Sequence, residues 1–388
     1  MNLAPRIQEI HPFRVMELLA RARALQAQGH DIIHLEVGEP DFPTPEPVLE
    51  AAKRFFVEHG GHVPYTPTAG LSALREAIAA YYASRFGVSV APERILVTTG
   101  ASAALTLILA AATHPGDGWL MPDPSYPCNR HLVRTFEGQT HRIPVDAADN
   151  FQPTAAHVEQ YWRANTRGLM LATPSNPTGT VLTLAQIAAL ADAVRQRGGL
   201  LIVDEIYQGL NYDGEACTAL SVAPDAFIIN SFSKYFGMTG WRLGWLVAPE
   251  GWTPHLEKLA QHLYICAPTP AQYAALVALD DTTRPVLEAR REALRRRRDV
   301  FTQALSASGL ILDAAPQGAF YLYADASPFT DDTQRLAADL LEQAHVACTP
   351  GIDFGEHRTQ TRLRFAYTTE EARLQEAAER IARVLQRR

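Results

Sequence analysis

The sequence lacks the long apolar runs of a membrane protein, since none of its 388 positions begins a stretch of about 18 apolar residues. It also lacks an excess of positive charge: 35 basic residues stand against 42 acidic ones, which gives a formal net charge of -7. A chain with this balance has no general attraction for nucleic acid or for an anionic membrane. We therefore expect neither as a partner.

Cysteine is scarce and scattered. The four cysteines form no CxxC pair and no Cys/His ligand spacing, which argues against a disulfide framework and against a zinc site. Such cysteine usage suits a reducing compartment. Residues 1–10 carry prolines and charges instead of an apolar segment, so we predict no signal peptide and expect a cytoplasmic protein.

What the sequence does contain is an alternation of short apolar runs with helical patterns. Six runs are predicted as buried strands: residues 95–98, 119–121, 169–172, 200–203, 226–229 and 243–248. Helical segments such as 102–112 and 184–197 separate several of them, and Thr183 is the predicted N-cap of the second. This pattern predicts an α/β fold, with a mostly parallel sheet covered by helices on both faces.

Length and pattern together predict two domains. Residues 46–285 hold the alternating pattern and form the predicted large domain. Residues 1–45 and 286–388 form a predicted smaller α+β domain, with strands at 32–37, 320–324 and 362–367 and a capping-box pattern, Thr368 to Glu371, before the last helix. The arginines between Arg290 and Arg298 could be a nucleic-acid patch or a solvated helix face, and the acidic chain favours the second.

The stretch from Asn230 to Trp245 holds two serines, a lysine, three glycines and an arginine between two strand candidates. Lys234 has no acidic residue within several positions, so desolvation could make its amine nucleophilic. The hydroxyls of Ser231 and Ser233 and the guanidinium of Arg242 could hold a phosphate. A nucleophilic amine beside a phosphate site suggests pyridoxal 5'-phosphate (PLP) bound as a Schiff base. The plainer alternative is a glycine-rich loop with a solvated lysine.

This stretch resembles the lysine signature of the class I and II aminotransferases, which are PLP enzymes of fold type I. The family pattern is Ser-x-Ser-Lys, a short glycine-containing loop and then Gly-x-Arg-x-Gly, and its positions are filled here by Ser231, Ser233, Lys234, Gly240, Arg242 and Gly244. The likeness runs from Leu35 to Tyr367 in family order. It implies a homodimer with active sites at the subunit interface, where Tyr65 matches a tyrosine that reaches the phosphate of the neighbouring subunit.

Ligands of open α/β sheets bind at the carboxyl ends of the strands, which draws attention to the residues that follow them. Residues 99–102 form a turn that opens a helix, and N–H groups there can bind an anion. Asp204 follows four apolar residues and would be costly to bury without a partner, for which a protonated pyridine nitrogen is suitable. The plainer alternatives are an ordinary glycine turn and an N-cap aspartate.

The resemblance implies a role for each of these residues. Gly100, Ala101 and Ser102 occupy the places of the turn that binds the PLP phosphate, opposite the two serines and the arginine of the lysine stretch. Asp204 matches the aspartate that pairs with the ring nitrogen. Tyr207 matches the tyrosine that pairs with the phenolic oxygen.

The resemblance also extends to residues outside these turns. Asn176, in a proline-rich turn, matches the asparagine that bonds the phenolic oxygen close to the substrate carboxylate, and Tyr126 stands where the family stacks an aromatic ring on the pyridine. Arg364 matches the arginine that grips the α-carboxylate in two places. Arg362 alternates with it on the same predicted strand, so the choice between the two rests on the resemblance. Gly38 would offer its backbone N–H to the same carboxylate.

The implied activity is an aminotransferase that moves the amino group of an L-amino acid to a 2-oxo acid. Lys234 would form the Schiff base and then move the α-proton as a general base. A PLP-dependent C–S β-lyase on the same site shares this proton abstraction, so the motifs do not separate the two reactions. A transcription regulator built on this domain would need a DNA-binding module, and we expect none in the roughly 35 residues before the first loop.

The side chain of the substrate is predicted from residues 11–15. Family members that prefer dicarboxylic substrates often carry Ser or Thr in this segment, whereas here it reads His-Pro-Phe-Arg-Val. Pro12 and Phe13 predict an apolar wall, which disfavours a carboxylate because burying an unpaired charge is costly. A neutral donor, aliphatic or aromatic, is therefore expected. Aspartate is the alternative, since His11, Arg14 or an arginine of the other subunit could hold a second carboxylate.

Overall fold

The computed structural model describes residues 3–12, 14–214 and 216–388. Its α-helices are α1 (Arg14–Ala27), α2 (Glu46–Glu58), α3 (Ser72–Phe86), α4 (Ala101–Ala112), α5 (Pro127–Thr135), α6 (Ala155–Tyr161), α7 (Leu184–Arg195), α8 (Thr253–Leu263), α9 (Thr269–Ala278), α10 (Arg284–Ala307), α11 (Thr333–Asp339) and α12 (Glu371–Leu385). Its strands are β1 (Ile33–His34), β2 (Ile95–Thr98), β3 (Gly118–Asp123), β4 (Gln139–Pro144), β5 (Thr166–Ala172), β6 (Leu200–Asp204), β7 (Phe227–Ser231), β8 (Gly244–Val247), β9 (Tyr321–Asp325), β10 (Val346–Ala347), β11 (Thr349–Pro350) and β12 (Arg362–Ala366).

A seven-stranded sheet in the order β2-β8-β7-β6-β5-β3-β4 forms the centre of the fold. Strand β8 is antiparallel to both of its neighbours, and the other pairs are parallel. The predicted α/β fold with a mostly parallel sheet is thus confirmed. Strand β4 was not predicted, because its sequence Gln-Thr-His-Arg-Ile-Pro begins with four polar residues and contains no apolar run. It lies at an edge of the sheet, where polar residues are tolerated.

Side chains that alternate along the strands separate two apolar layers, one on each face of the sheet. Ile95 and Val97 of β2 belong to the layer that includes α3, α7 and α9. Leu96, between them, belongs to the layer that includes α4 and α8. Because both faces are covered, strands β2, β3, β7 and β8 are buried along their whole length. The carboxyl edge of the sheet is where polar side chains can meet a ligand.

Smaller sheets flank the central one. Strands β11, β12 and β9 form an antiparallel sheet, and β1 pairs in parallel with β10. The predicted strand at 32–37 is reduced to two residues, because the chain bends at Glu36 and Val37. The predicted N-cap Thr183 is confirmed, since its hydroxyl accepts the Gln186 N–H of α7.

The capping box predicted for the last helix is wrong. Helix α12 begins at Glu371, and its N-cap is Glu370, which makes no side-chain capping bond. Thr368 lies too far ahead of the helix, and its carbonyl instead accepts hydrogen bonds from the Asp41 N–H and the Arg297 guanidinium.

The arginine-rich face of α10 is bound to acidic groups of the same chain. Ion pairs join Arg291 to Glu288, Arg295 to Glu292, Arg296 to Glu371, Arg297 to Asp41 and Arg298 to Asp213. The guanidinium of Arg290 lies 5.4 Å from the centre of the Phe42 ring. These contacts favour a structural helix face over a nucleic-acid patch. None of the described helices is both long and apolar enough to cross a membrane.

Candidate active site

Lys234 lies in the turn between β7 and β8, at the carboxyl edge of the central sheet. Its Nζ donates a hydrogen bond of 2.8 Å to the Gly38 carbonyl and lies 5.7 Å from the centre of the Phe320 ring. Burial lowers the pKa of this amine to about 8; the nearby charge of Glu39 opposes the shift, and that of Arg364 adds to it. The surroundings therefore favour the neutral, nucleophilic form of the amine.

Most of the predicted site residues meet in one cavity of about 410 Å³, a size that suits a small ligand. Those that line it are Gly38, Ala101, Ser102, Tyr126, Asn176, Asp204, Tyr207, Ser231, Ser233, Lys234, Arg242 and Arg364. Gly100 lies directly behind the lining, and Tyr65 lies outside the cavity. The sheet thus brings together the segments that follow four different strands.

The turn between β2 and α4 is built to receive an anion. Gly100 has a φ of +81°, which L side chains rarely adopt, and α4 begins at the next residue. The first N–H groups of a helix lack partners within it and carry a partial positive charge. A Cβ on Gly100 would lie 2.6 Å from an Nη of Arg242, so the guanidinium is in contact with this turn.

Two serines complete this end of the cavity. The Ser231 hydroxyl accepts the Ser233 N–H at 3.0 Å and donates to the Leu243 carbonyl at 3.2 Å. These bonds fix the start of the turn that carries the lysine. Hydroxyls, helix N–H groups and a guanidinium around one space form a donor set that fits a phosphate.

Asp204 is the last residue of β6 and lies on the cavity wall. Its carboxylate accepts the Ile206 N–H at 3.0 Å. Burial raises the pKa of Asp204 to about 6, a shift that the Ile206 hydrogen bond and the charge of Lys234 offset only in part. No helix begins here, so the N-cap alternative does not hold. A cation placed against this carboxylate would stabilise its ionised form.

Glu205, the neighbour of Asp204, does not line the cavity. It is fully buried and accepts hydrogen bonds from the Thr218 hydroxyl and the Ala219 N–H. Burial raises the pKa of Glu205 to about 8. Two adjacent acids therefore have different surroundings, because side chains alternate across a strand end.

Arg364 of β12 is only 3% exposed and is held from several sides. Its Nη1 donates to Asn176 Oδ1 at 2.9 Å, and its Nη2 donates to the Thr349 hydroxyl at 3.2 Å. The rings of Tyr321 and Phe354 lie 4.4 and 4.8 Å from its guanidinium carbon. Among the described residues its Nε has no acceptor, although it is buried. This donor set fits a carboxylate.

The structure separates the two alternating arginines of β12. Arg362 makes two hydrogen bonds of 2.7 Å to the Asp313 carboxylate and does not line the cavity. Arg364 does line it. The distinction depends on Asp313, which lies far away in sequence, so no local pattern could reveal it.

Sequence reasoning missed Tyr321, the first residue of β9. Its hydroxyl lies 2.9 Å from that of Tyr207, and both side chains line the cavity. A tyrosine at the start of an apolar strand is usually a packed core residue, and its sequence neighbours, Phe320 and Leu322, are buried. The sequence carried no signal that would have separated it from them.

The predicted apolar wall is present, but Pro12 does not belong to it. Pro12 lies in a separate groove, and Phe13 is outside the described residues. Among the described residues of this segment, Val15, Met16 and Leu19 of α1 line the cavity. One face of a helix therefore supplies the described part of the wall.

An amine of lowered pKa in the same cavity as an anion-binding turn suits an enzyme that uses an aldehyde cofactor with a phosphate group. Comparison with known proteins identifies the enzyme family. Residues 30–381 match the family described as "Aminotransferase class I and II". The chain therefore belongs to the class I and II aminotransferases.

Its relatives are similar over their whole length. The chain is 37% identical to an aspartate/prephenate aminotransferase of Thermus thermophilus, covering 100% of this chain and 99% of the relative. It is 35% identical to a valine–pyruvate aminotransferase of Mycobacterium tuberculosis, covering 96% of each. The crystal structure of an aminotransferase from Mycobacterium tuberculosis superimposes with a TM-score of 0.95 at 34% identity, with 100% of both chains covered.

The protein is thus a PLP-dependent aminotransferase, which transfers an amino group between amino acids and 2-oxo acids. The cavity fits this cofactor. A buried amine of lowered pKa is present at Lys234, a partly compensated carboxylate at Asp204, and an anion turn at Gly100 with Arg242 against it. These groups match the aldehyde, the ring nitrogen and the phosphate of PLP in chemistry.

Proposed function

We propose that this aminotransferase acts on L-amino acids with neutral side chains, with Lys234 as the residue that holds PLP and moves the α-proton. The observation that carries the proposal is one cavity that holds both the lowered-pKa amine of Lys234 and the unpartnered Nε of Arg364. When bound, PLP supplies an electron sink for the charge left at the α-carbon. Asp204 keeps the ring nitrogen protonated, so that the sink stays strong.

The α-carboxylate is the group that all donors share. Arg364 would bind it through its guanidinium, whose planar fork suits a carboxylate and whose Nε has no acceptor among the described residues. Asn176 holds the Arg364 Nη1 in place, and the rings of Tyr321 and Phe354 prevent the guanidinium from tilting. Gly38 adds its backbone N–H. These contacts orient the α-carbon for proton removal without selecting among side chains.

Lys234 then acts as the general base. A base is most effective when its pKa lies near the working pH, and burial has brought that of Lys234 to about 8. The neutral Nζ would take the proton from the substrate α-carbon and would then give it to the carbon of the cofactor. Tyr207 and Asn176 would hold the phenolic oxygen of PLP, and Tyr126 would cover the ring. Ser231, Ser233 and Arg242 would hold the phosphate, together with the turn formed by Gly100, Ala101 and Ser102.

The side-chain end of the cavity supports a neutral donor. Among the described residues that line the cavity, the cations are Lys234, Arg242 and Arg364. Each of them already has a role toward the cofactor or the α-carboxylate, so none remains for a second carboxylate. The wall formed by Met16 and Leu19 is apolar, and burying an unpaired charge against it is costly. The relatives named above include both an aspartate/prephenate and a valine–pyruvate enzyme, so their names leave the donor open.

We expect the value of kcat/KM to be at least about tenfold higher for the best of alanine, leucine and phenylalanine than for aspartate, all with one 2-oxo acid acceptor. The physical reason is that the described lining of the cavity offers no cation beyond those used toward the cofactor and the α-carboxylate. Steady-state assays of the purified holoenzyme measure this directly. A tenfold lead for aspartate would contradict the proposed donor class.

A wall variant provides the control for this experiment. Leu19→Ala removes apolar contact from the cavity, so it should lower kcat/KM for leucine more than for alanine, by roughly 5- to 100-fold. A general defect in folding or cofactor binding would lower both donors equally.

We also propose that the protein is a homodimer with shared active sites. Tyr65 is 77% exposed and does not line the cavity of its own chain. Other large apolar side chains are exposed at Phe56, Val57 and Val63, and at Leu263 and Ile265 near the end of α8. A hydrogen bond of 2.7 Å from the Thr269 hydroxyl to the Pro64 carbonyl joins the segment of Tyr65 to the start of α9. Large exposed apolar patches mark protein interfaces.

Subunit mixing tests the shared site. Lys234→Ala and Tyr65→Ala should each be poorly active, yet a heterodimer of the two contains one fully native site. Random exchange at equal amounts makes half of the dimers mixed, so about a quarter of the wild-type activity should return. Sedimentation of the active wild type as a monomer, or no recovery on mixing when exchange is shown by labelled subunits, would refute this arrangement.

Two further expectations accompany the proposal. We propose a cytoplasmic location, since the four cysteines are unpaired thiols.

We also propose that residues 46–285 form a large domain and that residues 1–45 and 286–388 form a small one. The pairing of β1 with β10 supports this division, because it ties the first segment to the last.

A further inference from the structure

Two buried tyrosines meet inside the cavity. The hydroxyls of Tyr207 and Tyr321 are 2.9 Å apart, and the planes of their rings are inclined at 82°. The side chains are 4% and 2% exposed. A phenol buried in this way needs a partner, and here each is the partner of the other.

The hydroxyl of Tyr321 is confined on its other side by the loop that carries Gly38. A Cβ added to Gly38 would lie 1.8 Å from Tyr321 Oη, so only a glycine leaves room for this phenol. The carbonyl of the same glycine accepts the hydrogen bond of Lys234. The ring of Tyr321 also lies 4.4 Å from the Arg364 guanidinium. One side chain therefore contacts three groups of the proposed site.

Only one proton can lie between the two phenols, and the charges decide which phenol donates it. Arg364 stands over the Tyr321 ring and lowers the pKa of that phenol, against the rise that burial causes. Burial raises the pKa of Tyr207 well above its usual value. The more acidic phenol of a pair is the better donor, and Tyr321 is the phenol whose ring lies against a cation. The proposed function also uses the single proton of Tyr207 toward the cofactor, which leaves Tyr321 to donate the proton between the two hydroxyls.

We propose that Tyr321 is a positioning residue whose hydroxyl donates to Tyr207 Oη and thereby directs the Tyr207 proton into the cavity. This inference rests on the proposed function, in which Tyr207 pairs with the phenolic oxygen of PLP. A hydrogen-bond chain polarises its members, so the Tyr321 bond makes Tyr207 a stronger donor. Without it, the Tyr207 hydroxyl can rotate toward other acceptors.

The hydroxyl and the ring of Tyr321 can be separated by mutation. Tyr321→Phe removes the hydroxyl but keeps the ring beneath Arg364. We therefore expect KM for the amino donor to change less than about twofold, whereas kcat falls by about 3- to 10-fold, the loss of one hydrogen bond.

The spectroscopic readout is independent of turnover. The visible absorption of bound PLP depends on pH, and a donor at its phenolic oxygen stabilises the anionic form. In Tyr321→Phe holoenzyme the midpoint of this absorption change should move upward by about 0.5 pH unit, because Tyr207 is a weaker donor. The same titration in Tyr207→Phe should give a larger upward shift.

Two variants make the assignment specific. Tyr323→Phe removes another buried hydroxyl two residues along β9, one that has no partner among the described residues, and should leave the midpoint unchanged. In the double variant Tyr207→Phe/Tyr321→Phe the effect of the second substitution should vanish, since Tyr321 acts through Tyr207.

The outcomes distinguish this inference from the proposed function on which it rests. A shift in Tyr207→Phe with none in Tyr321→Phe overturns the positioning role alone. A double variant whose midpoint lies above that of Tyr207→Phe also overturns it, since the Tyr321 hydroxyl would then act without Tyr207. No shift in Tyr207→Phe removes the proposed role of Tyr207, and the inference with it.

Discussion

Replacement of Lys234 by alanine should reduce transamination by at least about 10³-fold, because the variant loses both the attachment point of the cofactor and the general base. This expected loss of activity rests on the burial of the Lys234 amine. Its pKa is lowered to about 8, so about half of the amine is neutral at that pH. Assays at saturating PLP show whether added cofactor restores the rate, and we expect that it does not.

Chemical mapping tests the same residue without turnover. The chain has only three lysines, Lys53, Lys234 and Lys258. Lys53 is exposed and paired with Glu50, and Lys258 is exposed on α8, so neither is desolvated. Borohydride reduction of the holoenzyme should leave the label on the peptide of Lys234. Lys258→Ala is the matched control and should label as the wild type does. Label on either other lysine would reject the assignment.

Stability distinguishes loss of function from loss of fold. An unfolded chain protonates a lysine below about pH 10.5, whereas folded Lys234 does so only below about 8. Folding is therefore penalised increasingly as pH falls from 10.5 to 8, and fully below 8. Lys234→Met, which keeps the volume and removes the amine, should make the cofactor-free protein more stable at pH 7, by up to about 3 kcal/mol. Calorimetry that shows it less stable would mean that the amine is not desolvated.

Much of the site was predictable because its residues follow strand ends. Asp204 directly follows an apolar run, Gly100 and Asn176 lie in the turns that follow two others, and parallel strands bring such positions to one edge of the sheet. The strand pattern and that rule draw attention to these residues, and the resemblance to the aminotransferases implies their roles. The same reasoning failed for β4, where the edge position removes the need for a continuous apolar run.

Contacts between residues that lie far apart in the sequence could not be predicted. Lys234 has no acid near it in sequence, yet the charge of Glu39 acts on it from another loop. Tyr321 is distinguished from the core only by the Tyr207 hydroxyl and by the space that Gly38 leaves. The apolar wall was expected from Pro12 and Phe13, but Pro12 lies in a separate groove, and the described part of the wall consists of Val15, Met16 and Leu19 of α1.

Asp204→Asn should still bind PLP but turn over about 10²- to 10³-fold more slowly, since it loses the negative charge that keeps the ring nitrogen protonated. The amide retains the shape and can still accept the Ile206 N–H, so the fold is preserved. Cofactor content by absorbance and kcat by steady-state assay measure the two effects separately. Near-normal turnover in this variant, or in Asp204→Ala, would reject the role.

The adjacent Glu205 provides the matched control. Glu205→Gln makes the same chemical change in a neighbouring buried acid that faces Thr218 and Ala219 and not the cavity. It should therefore leave kcat within about twofold of the wild type, as a substitution away from the site does. Equal losses in both variants would indicate a general effect of charge at the end of β6.

The pH dependence of cofactor binding gives a further test of Asp204. Burial raises its pKa to about 6 in the chain, so the carboxylate is ionised above that pH and protonated below it. A cation opposite it favours the ionised form, which moves the loss of charge in the holoenzyme to pH values below 6. Wild-type affinity for PLP should therefore fall as pH decreases through 6, because binding must then first remove a proton from the carboxyl group. Asp204→Asn has no such proton, so its weaker affinity should stay level across this range. A fall of the same size in both proteins would assign the titration to another group.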